Sequence, residues 1–321
     1  MSLIAKLLER DLSDLPAEII EATRNLNLDK RINVIGKVAF RDQVLEANSI
    51  RFGANSTLVV GDASMKWVLI VTKEIILPGG DAKATLRTHR RTPAKAETGR
   101  KGKPGPDAVW PDRDGGIGVI GRRGERGVDG DNAPTLVILF DKVTYVTPPT
   151  AIDTFQVRAH GSNGGDGGDG GEGGDGGNGM DATPGVIGQL DDFEPITCIV
   201  PAIRGGTAGQ GGPGRGGRRG GKAGDGAEVW LVGTQDAIDA SKRFLISGRA
   251  GSPGKGGNGG QGGNPGQPGR AFSSPPPCQF GRIGELNRSG DPGSPGGEGP
   301  NGTDVFITNI VTVESVMNLG Q

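Results

Sequence analysis

The chain has 321 residues, of which 62 are glycine and 22 are proline, while 33% are hydrophobic and only 4% are aromatic. Such a composition excludes a thick hydrophobic core for a chain of this length. The formal net charge of −1 excludes a strong electrostatic preference of the molecule as a whole. No segment approaches the roughly 20 apolar residues of a membrane-spanning helix, so we expect no membrane insertion.

The N-terminal third predicts two short helices followed by strands. Residues 2–10 and 15–24 have helical patterns, and Ser13 or Asp14 is the expected N-cap of the second helix. From Arg31 the pattern changes to short strands separated by turns: RINVIGKVAF, VLEANSIRF, STLVVGD and MKWVLIVTKEIIL. These strands suit either a β-sandwich or a few coils of a β-solenoid, and the sequence leaves both open.

Beyond the N-terminal third, glycine occupies every third position in several long runs. The phase is kept through 115–130, 161–179, 248–269 and 290–302, and less strictly through 205–226. A period of three matches neither the 3.6 of an α-helix nor the 2.0 of a strand. It does match the three residues per turn of the polyproline II family of helices.

Three interpretations of these runs compete. A collagen triple helix fits poorly, because the runs are short and many triplets carry two glycines where collagen has proline. Flexible linkers need no phase, since composition alone sets their stiffness. The third interpretation is a bundle of helices whose glycine faces let neighbouring backbones approach and hydrogen-bond one another. We predict the bundle, because linkers do not require the phase and collagen does not fit the length and composition of the runs.

Short apolar segments between the runs have the composition of strands. They are rich in β-branched and aromatic residues and roughly alternating. These segments are 135–146, 152–159, 194–203, 227–233, 242–248 and 304–313. Because glycine runs bury almost no side chains, we expect the strands to anchor them.

The predicted fold class is therefore mainly β with a polyglycine II or polyproline II-type helical bundle, preceded by short N-terminal helices and a β-sandwich or β-solenoid domain. We place the N-terminal domain at residues 1–95 and the repetitive domain of glycine runs and strands at 96–321.

Charge is segregated along the sequence. Residues 83–103 carry eight Lys or Arg against one Glu, whereas residues 161–194 carry eight Asp or Glu and no Lys or Arg. At three residues per turn and ~3.1 Å per residue, acidic residues three apart would form a row with a spacing of ~9 Å. The candidate interaction residues are Asp166, Asp169, Glu172 and Asp175 in one row, with Arg215 and Arg218 as a row of opposite sign.

Signals for catalysis or cofactor binding are weak. GGRRGGKA at 216–223 has the spacing of a phosphate-binding loop, but Ala223 stands where Ser or Thr must hold Mg²⁺. Neighbouring carboxylates ~9 Å apart cannot share a calcium ion, which needs its oxygens at roughly 2.3–2.6 Å. His89 and His160 belong to no catalytic pattern. We expect no catalytic residue, no cofactor and no metal site, and hence no enzyme.

Two further properties concern the cellular setting. Cys198 and Cys278 either remain unpaired thiols or form one bridge, and the sequence does not decide between them. The first residues contain early charges and a short apolar stretch, so they do not predict a signal peptide of the Sec type. We expect synthesis in the cytoplasm, and the sequence leaves the final location open, with a virion and export by a route other than Sec among the alternatives.

The alternation of phased glycine runs with short apolar segments, over roughly residues 99–303, resembles two known groups. One is the receptor-binding tip adhesins of bacteriophage long tail fibres, and the other is the glycine-rich antifreeze protein of snow fleas. The resemblance implies a polyglycine II scaffold, with recognition loops in the first group. The third positions here carry Asp, Glu, Arg and Lys, whereas an ice-binding face has small and weakly polar side chains.

Together these patterns predict a non-enzymatic structural or recognition protein that displays charged rows on a rigid scaffold. The expected partner is a cell-surface or virion component, or further copies of the chain, and not a specific nucleic acid. An ice-binding protein and a carbohydrate-active β-solenoid enzyme are the alternatives. A flat uncharged face would favour the first, and a cleft with two nearby carboxylates the second.

Overall fold

The structure is a computed structural model that describes residues 17–22, 26, 28–62, 64–150, 154–189, 195–306 and 308–312. The helix predicted for residues 2–10 lies outside the described residues. Within the second predicted helix, residues Ala17–Ala22 form a short helix, α1, with Glu18 in its first turn, where an acidic side chain favours the helix dipole.

Most regular structure in the described residues is β. The strands are β1 Arg31–Val34, β2 Lys37–Phe40, β3 Val44–Phe52, β4 Ser56–Val60, β5 Trp67–Leu77, β6 Ala84–Thr88, β7 Thr135–Tyr145, β8 Phe155–Arg158, β9 Val186–Gly188, β10 Thr197–Val200, β11 Val229–Gly233, β12 Phe244–Ser247 and β13 Thr308–Thr312. A second helix, α2 Gln235–Ser241, joins β11 to β12 and is N-capped by the hydroxyl of Thr234.

The strands alternate between two parallel sheets. Sheet A has the order β1-β3-β5-β7-β11-β13, and sheet B has the order β12-β8-β6-β4-β2. Every pairing within both sheets is parallel. The chain therefore winds back and forth between the sheets in successive coils, and each coil stacks on the one before it.

Apolar side chains from the two sheets meet between them. Leu45, Ile70 and Ile138 of sheet A are almost completely buried in this core. Phe155 of sheet B forms edge-to-face contacts with Phe52 and Phe244, at ring-centroid distances of 5.0 and 4.8 Å. The parallel coils share this core, which explains why their strands are short and rich in apolar residues.

The outer surface of sheet A has a smaller apolar cluster of its own. Trp67, Val137 and Trp230 are buried there against Ile19 of helix α1. The indole Nε1 of Trp67 donates to the carboxylate of Glu18 at 3.2 Å. Helix α1 therefore packs on the sheet as a cover and does not begin a separate unit.

Six glycine runs are inserted between the coils. Runs a and b lie between β6 and β7, runs c and d between β8 and β11, and runs e and f between β12 and β13. The runs are a 96–108, b 115–133, c 161–182, d 205–226, e 249–270 and f 282–303. Each insertion thus goes out along one run and returns along the next.

Backbone hydrogen bonds connect the runs at every third residue. The N–H of Gly99 in run a donates to the carbonyl of Asp169 in run c at 2.8 Å, and Gly102 and Gly105 repeat this contact along the two runs. Similar ladders connect run c with e, b with d, and d with f. The period of three in the sequence is the repeat of these ladders.

The predicted fold class is wrong. No polyproline-type helix is assigned in the described part of the chain, and the glycine runs carry neither helix nor strand. What organises the molecule is a pair of multi-stranded parallel sheets, which also excludes an antiparallel β-sandwich. The physical reason is that strands far apart in sequence pair in parallel across the insertions, a pairing that local periodicity does not reveal.

The division into domains at residue 95 stays a prediction. Strands on both sides of this position pair directly, because β5 runs in register with β7 from Trp67 opposite Thr135 to Leu77 opposite Tyr145. Six of the inter-run strands described lie within the segments predicted from the sequence, namely β7, β8, β10, β11, β12 and β13, whereas β9 was not predicted.

A disulfide joins two insertions at the end away from the sheets. The antiparallel pair β9 and β10 connects run c to run d, and Cys198 of β10 is bonded to Cys278 between runs e and f. The sequence left open whether Cys198 and Cys278 pair, and the structure joins them in one bridge. The bridge ties the turn of one insertion to the turn of the next, where few other side chains are buried.

The ladders explain why glycine is required, and this requirement can be tested at Gly257. A Cβ at Gly257 would lie 2.1 Å from the carbonyl oxygen of Gly168, whereas a Cβ at Gly297 would meet nothing within 4 Å. We expect Gly257→Ala to lower the free energy of unfolding by roughly 1–3 kcal/mol or more. Gly297→Ala is the matched control and should change it by less than about 1 kcal/mol. Urea unfolding measures both, and equal effects would contradict a close-packed ladder.

The apolar cluster on the outer surface of sheet A should contribute to stability through Trp230. Trp230 is 7% exposed, whereas Trp110, at the turn between runs a and b, is 67% exposed. We expect Trp230→Ala to cost ~3–5 kcal/mol, because it removes a buried aromatic side chain. Trp110→Ala should leave thermal unfolding unchanged. Unaltered cooperative unfolding of Trp230→Ala would show that this cluster does not hold the sheets.

Candidate functional site

The acidic row of run c lies against run e. Three of its carboxylates accept hydrogen bonds from backbone N–H groups of that run. The pairs are Asp166 with Lys255 at 2.8 Å, Asp169 with Asn258 at 2.7 Å, and Asp175 with Asn264 at 2.9 Å. The carboxylates thus supply acceptors for N–H groups that the backbone ladders leave over.

Run a and the residue before it provide cations on the other side of the row. Lys95 Nζ lies 3.0 Å from the carboxylate of Asp169, and Lys101 Nζ lies 3.8 and 3.5 Å from those of Glu172 and Asp175. The backbone N–H of run e, followed by the lysines, lowers the pKa of Asp169 and Asp175 below the ordinary carboxyl value. The segregated charges of the sequence therefore meet within one molecule.

Amides occupy the same positions at both ends of the row. Asn163 and Asn178 accept from the N–H groups of Ser252 and Gln267, at 3.0 and 2.8 Å. Because a neutral amide serves as well as a carboxylate, the shared requirement is a short side chain with an acceptor oxygen. We call this row of side chains the seam, because its hydrogen bonds hold run c against run e.

Arg215 and Arg218 of run d are not brought to the acidic row. Both side chains are exposed, and among the described residues no ion pair joins them to Asp166, Asp169 or Glu172. Rows of opposite sign with a common spacing could pair within one molecule or between copies, and no pairing within one molecule is found among the described residues. The charge segregation between residues 83–103 and 161–194 was the sequence signal for the partners actually found.

The two arginines occupy positions that are otherwise glycine. The equivalent residues of run d are Gly206, Gly209, Gly212, Gly221 and Gly224. A Cβ at each of them would lie within 2.5 Å of a carbonyl oxygen in run b or just before it. Arginine at 215 and 218 therefore requires run b to lie farther away, and the hydrogen bonding shows this departure.

The ladder between runs b and d is interrupted beside these arginines. Gly121 donates to Pro213 at 3.1 Å and Gly127 donates to Arg219 at 3.0 Å. Between them, no backbone hydrogen bond from Gly124 is found in the described part of the chain. The arginines thus replace one rung of a ladder that is otherwise continuous from Gly115 to Ala133.

More arginines lie beside this gap. We use the name arginine cluster for Arg122, Arg123 and Arg126 of run b with Arg215, Arg218 and Arg219 of run d, all exposed. Arg126 pairs with Asp129 at 3.1 Å, and Arg219 donates to the carbonyl of Glu298 at 2.8 Å. Within the described ranges the other four have no ion pair, and although the exposed Glu125 lies among them on run b, arginines outnumber acidic residues in the cluster.

Two of the cavities lined by ionisable groups lie on or beside the sheets. One, of about 680 Å³, opens on sheet A and includes Glu74 and Asp141, but Glu74 is already engaged by Lys142 at 3.6 Å and Thr144 at 2.5 Å. The other, of about 370 Å³, lies at the junction of the sheets with the glycine runs and contains His160. Burial, followed by the charges of nearby arginines, lowers the pKa of His160 to about 4.

The turns at the far end of the runs expose apolar side chains. Trp110 between runs a and b is 67% exposed, and Phe280 between runs e and f is 71% exposed. Ile199 of β10, next to the disulfide, is also exposed. This distal tip is a second surface, apolar where the arginine cluster is charged.

Other kinds of site are not found in the described residues. No group of three or more His, Cys, Asp or Glu in those ranges has the arrangement of a metal site. No helix in the described part of the chain is long and apolar enough to span a membrane.

Comparison with known proteins adds little. No family model and no curated protein matches this chain. Among solved structures, a springtail antifreeze protein from Granisotoma rainieri, described as a nine polyproline type II helical bundle, is 21% identical. The match covers 54% of this chain and 95% of that chain with a TM-score of 0.08, which carries no argument about fold or function.

The seam formed by the acidic row can be tested at Asp169. We expect Asp169→Asn to cost no more than about 1 kcal/mol, because it removes an exposed ion pair and keeps an acceptor for the N–H of Asn258. Asp169→Ala should cost more, by about 1 kcal/mol, because that N–H loses its acceptor. Chemical unfolding of both variants measures the difference, and equal costs would mean that the charge alone matters.

Proposed function

We propose that this chain is a non-enzymatic recognition protein that binds an anionic polysaccharide surface through the arginine cluster. Two parallel sheets hold the bases of the glycine runs, and the inter-run ladders keep the runs in register. On this scaffold the arginines occupy fixed positions, which reduces the conformational entropy lost on binding.

The observation that carries the proposal is arginine at glycine positions. Arg215 and Arg218 stand where five equivalent residues of run d are glycine, and the adjoining ladder has lost the rung at Gly124. These arginines depart from the glycine pattern at a cost in packing and gain no contact in return among the described residues. Such departures are typical of functional residues. Binding through the unpaired guanidinium groups would offset the loss of the backbone hydrogen bond from Gly124.

The chemistry of the cluster favours sulfate or carboxylate groups on a polymer. Guanidinium binds such oxyanions through two parallel N–H donors, and several weak contacts along a chain add by multivalency. The cluster contains no aromatic side chain, so it offers no stacking platform for single-stranded nucleic acid. An anionic polysaccharide needs no such platform.

The other proposals from the sequence receive less support. Assembly between copies would require a free acidic row, but Lys95 and Lys101 already neutralise much of it. Exposed carboxylates and lysines along the seam do not form the flat uncharged face that ice binding needs. An enzyme would use the cleft on sheet A, where Glu74 is engaged by Lys142 and Thr144.

The test is binding of dextran sulfate, with neutral dextran as the control polymer. In the double variant Arg215→Gly and Arg218→Gly we expect binding to weaken by at least about tenfold, since losing only about 1.4 kcal/mol of charge-assisted contacts has that effect. The free energy of unfolding should change by no more than about 1 kcal/mol, because glycine suits these positions. Binding should also weaken as salt is raised.

Controls separate this surface from others. Lys255→Gln with Arg270→Gln removes two positive charges from run e and should leave binding unchanged. Trp110→Ser with Phe280→Ser alters the distal tip, and loss of binding there alone would move the recognition site to the tip. Undiminished binding by the double glycine variant would overturn the proposal, and a marked loss of its stability would make the arginines structural.

Sedimentation of the wild type at low and high salt tests self-assembly.

A further inference from the structure

A positively charged cavity lies where sheet B passes into runs c and e. Its volume is about 370 Å³, which is within the size range of small-ligand sites. Arg158, His160, Ser247 and Arg249 form its polar lining, and Leu245 and Phe306 are among its apolar residues. Polar and apolar groups therefore face the same space.

The parallel register places the polar groups side by side. Arg158 of β8 is opposite Ser247 of β12, and on its other side it is opposite Arg87 of β6. One step beyond the strands, His160 contacts the hydroxyl of Ser247 at 2.7 Å between Nε2 and Oγ. Arg249 is fixed at the same level, because its carbonyl accepts from the N–H of Gly161 at 2.9 Å.

A further arginine lies beside this group. Arg90 is half-buried and donates from Nε to the carbonyl of Gly161 at 3.0 Å. Burial, followed by repulsion from Arg87 and Arg158, lowers the pKa of Arg90 below its ordinary value. So close a group of like charges is unfavourable without an anion.

Few negative charges balance these arginines. Among the charged groups that act on His160, the cations are Arg90, Arg158 and Arg249, and Asp304 is the one anion within the described residues. An oxygen of Asp304 already accepts the N–H of Ala250 at 2.7 Å. His160 itself is neutral above a pH of about 4 and adds a hydrogen-bonding group without adding charge.

We propose that this cavity binds a small organic anion whose phosphate or sulfate head contacts Arg158, Arg249 and Ser247 and whose apolar body lies on Leu245 and Phe306. Guanidinium forks match the oxygens of such a head, and a hydroxyl adds a neutral donor. The apolar lining favours an organic body over an inorganic ion. This site is separate from the arginine cluster on runs b and d, so neither proposal depends on the other.

The two histidines of the chain provide the readout. The protein carries ¹³C-labelled histidine, the His89→Gln variant assigns the signals, and phenyl phosphate and phenyl sulfate are titrated at pH 7.5 and constant ionic strength. We expect the signal of His160 to shift with saturation. A bound anion should also raise the pKa of His160 from about 4 towards its ordinary value.

Matched probes and variants decide the outcome. Inorganic phosphate and benzyl alcohol, which lack the body or the charge, should bind about tenfold or more weakly than phenyl phosphate. The variant Arg158→Gln with Arg249→Gln should lose about tenfold or more in affinity for phenyl phosphate, whereas Arg288→Gln on run f should bind as the wild type does. Leu245→Ser should reduce the advantage of phenyl phosphate over inorganic phosphate and leave the latter unchanged.

Two results would overturn the proposal. One is the absence of a saturable shift of the His160 signal at millimolar phenyl phosphate and phenyl sulfate. The other is an equal affinity in the double arginine variant. A preference of phenyl phosphate over phenyl sulfate, or the reverse, identifies the head group. Dextran sulfate binding by the same double variant should be unchanged, which keeps this test independent of the arginine cluster.

Discussion

The close approach of main chains in the glycine runs is the constraint on which the rest of the molecule depends. At Gly170, for example, a Cβ would lie 1.8 Å from the carbonyl oxygen of Arg215 in the neighbouring run. Glycine at these closest contacts lets neighbouring main chains approach within hydrogen-bonding distance, so the sequence period and the hydrogen-bond ladders have one cause. Short acceptor side chains such as those of Asp169 and Asn178 then satisfy N–H groups that the ladders do not use.

Runs of this kind bury few side chains, and ordering glycine costs more backbone entropy than ordering any other residue. The two parallel sheets offset this cost, because the insertions begin and end in strands of these sheets, most of which bury apolar residues. Run c follows β8, with Val157 in the core, and run d leads into β11, with Leu231 in the core. The disulfide between Cys198 and Cys278 ties two insertions together at the opposite end.

Because the glycine runs are so closely packed, a departure to a larger residue at a position that is otherwise glycine needs an explanation. At the positions of run d that face run b, a Cβ on the glycines would lie within 2.5 Å of a carbonyl oxygen, so a larger side chain there displaces the neighbouring backbone. Arg215 and Arg218 are such departures, whereas the acidic residues of run c occupy outer positions and serve the seam. The distinction concerns position within the triplet, and residue type alone does not reveal it.

The sequence by itself determined the local features: the phase of glycine, the short strands such as Thr135–Tyr145, and the opposite charges of residues 83–103 and 161–194. These features follow from backbone sterics and from side-chain burial over a few residues. Only the tertiary structure decided that the strands form two parallel sheets, that Lys95 and Asn258 are the partners of Asp169, and that arginines converge around His160. Those partners are 74 and 89 residues from Asp169, and contacts at such separations depend on the stacking of coils, which no local period encodes.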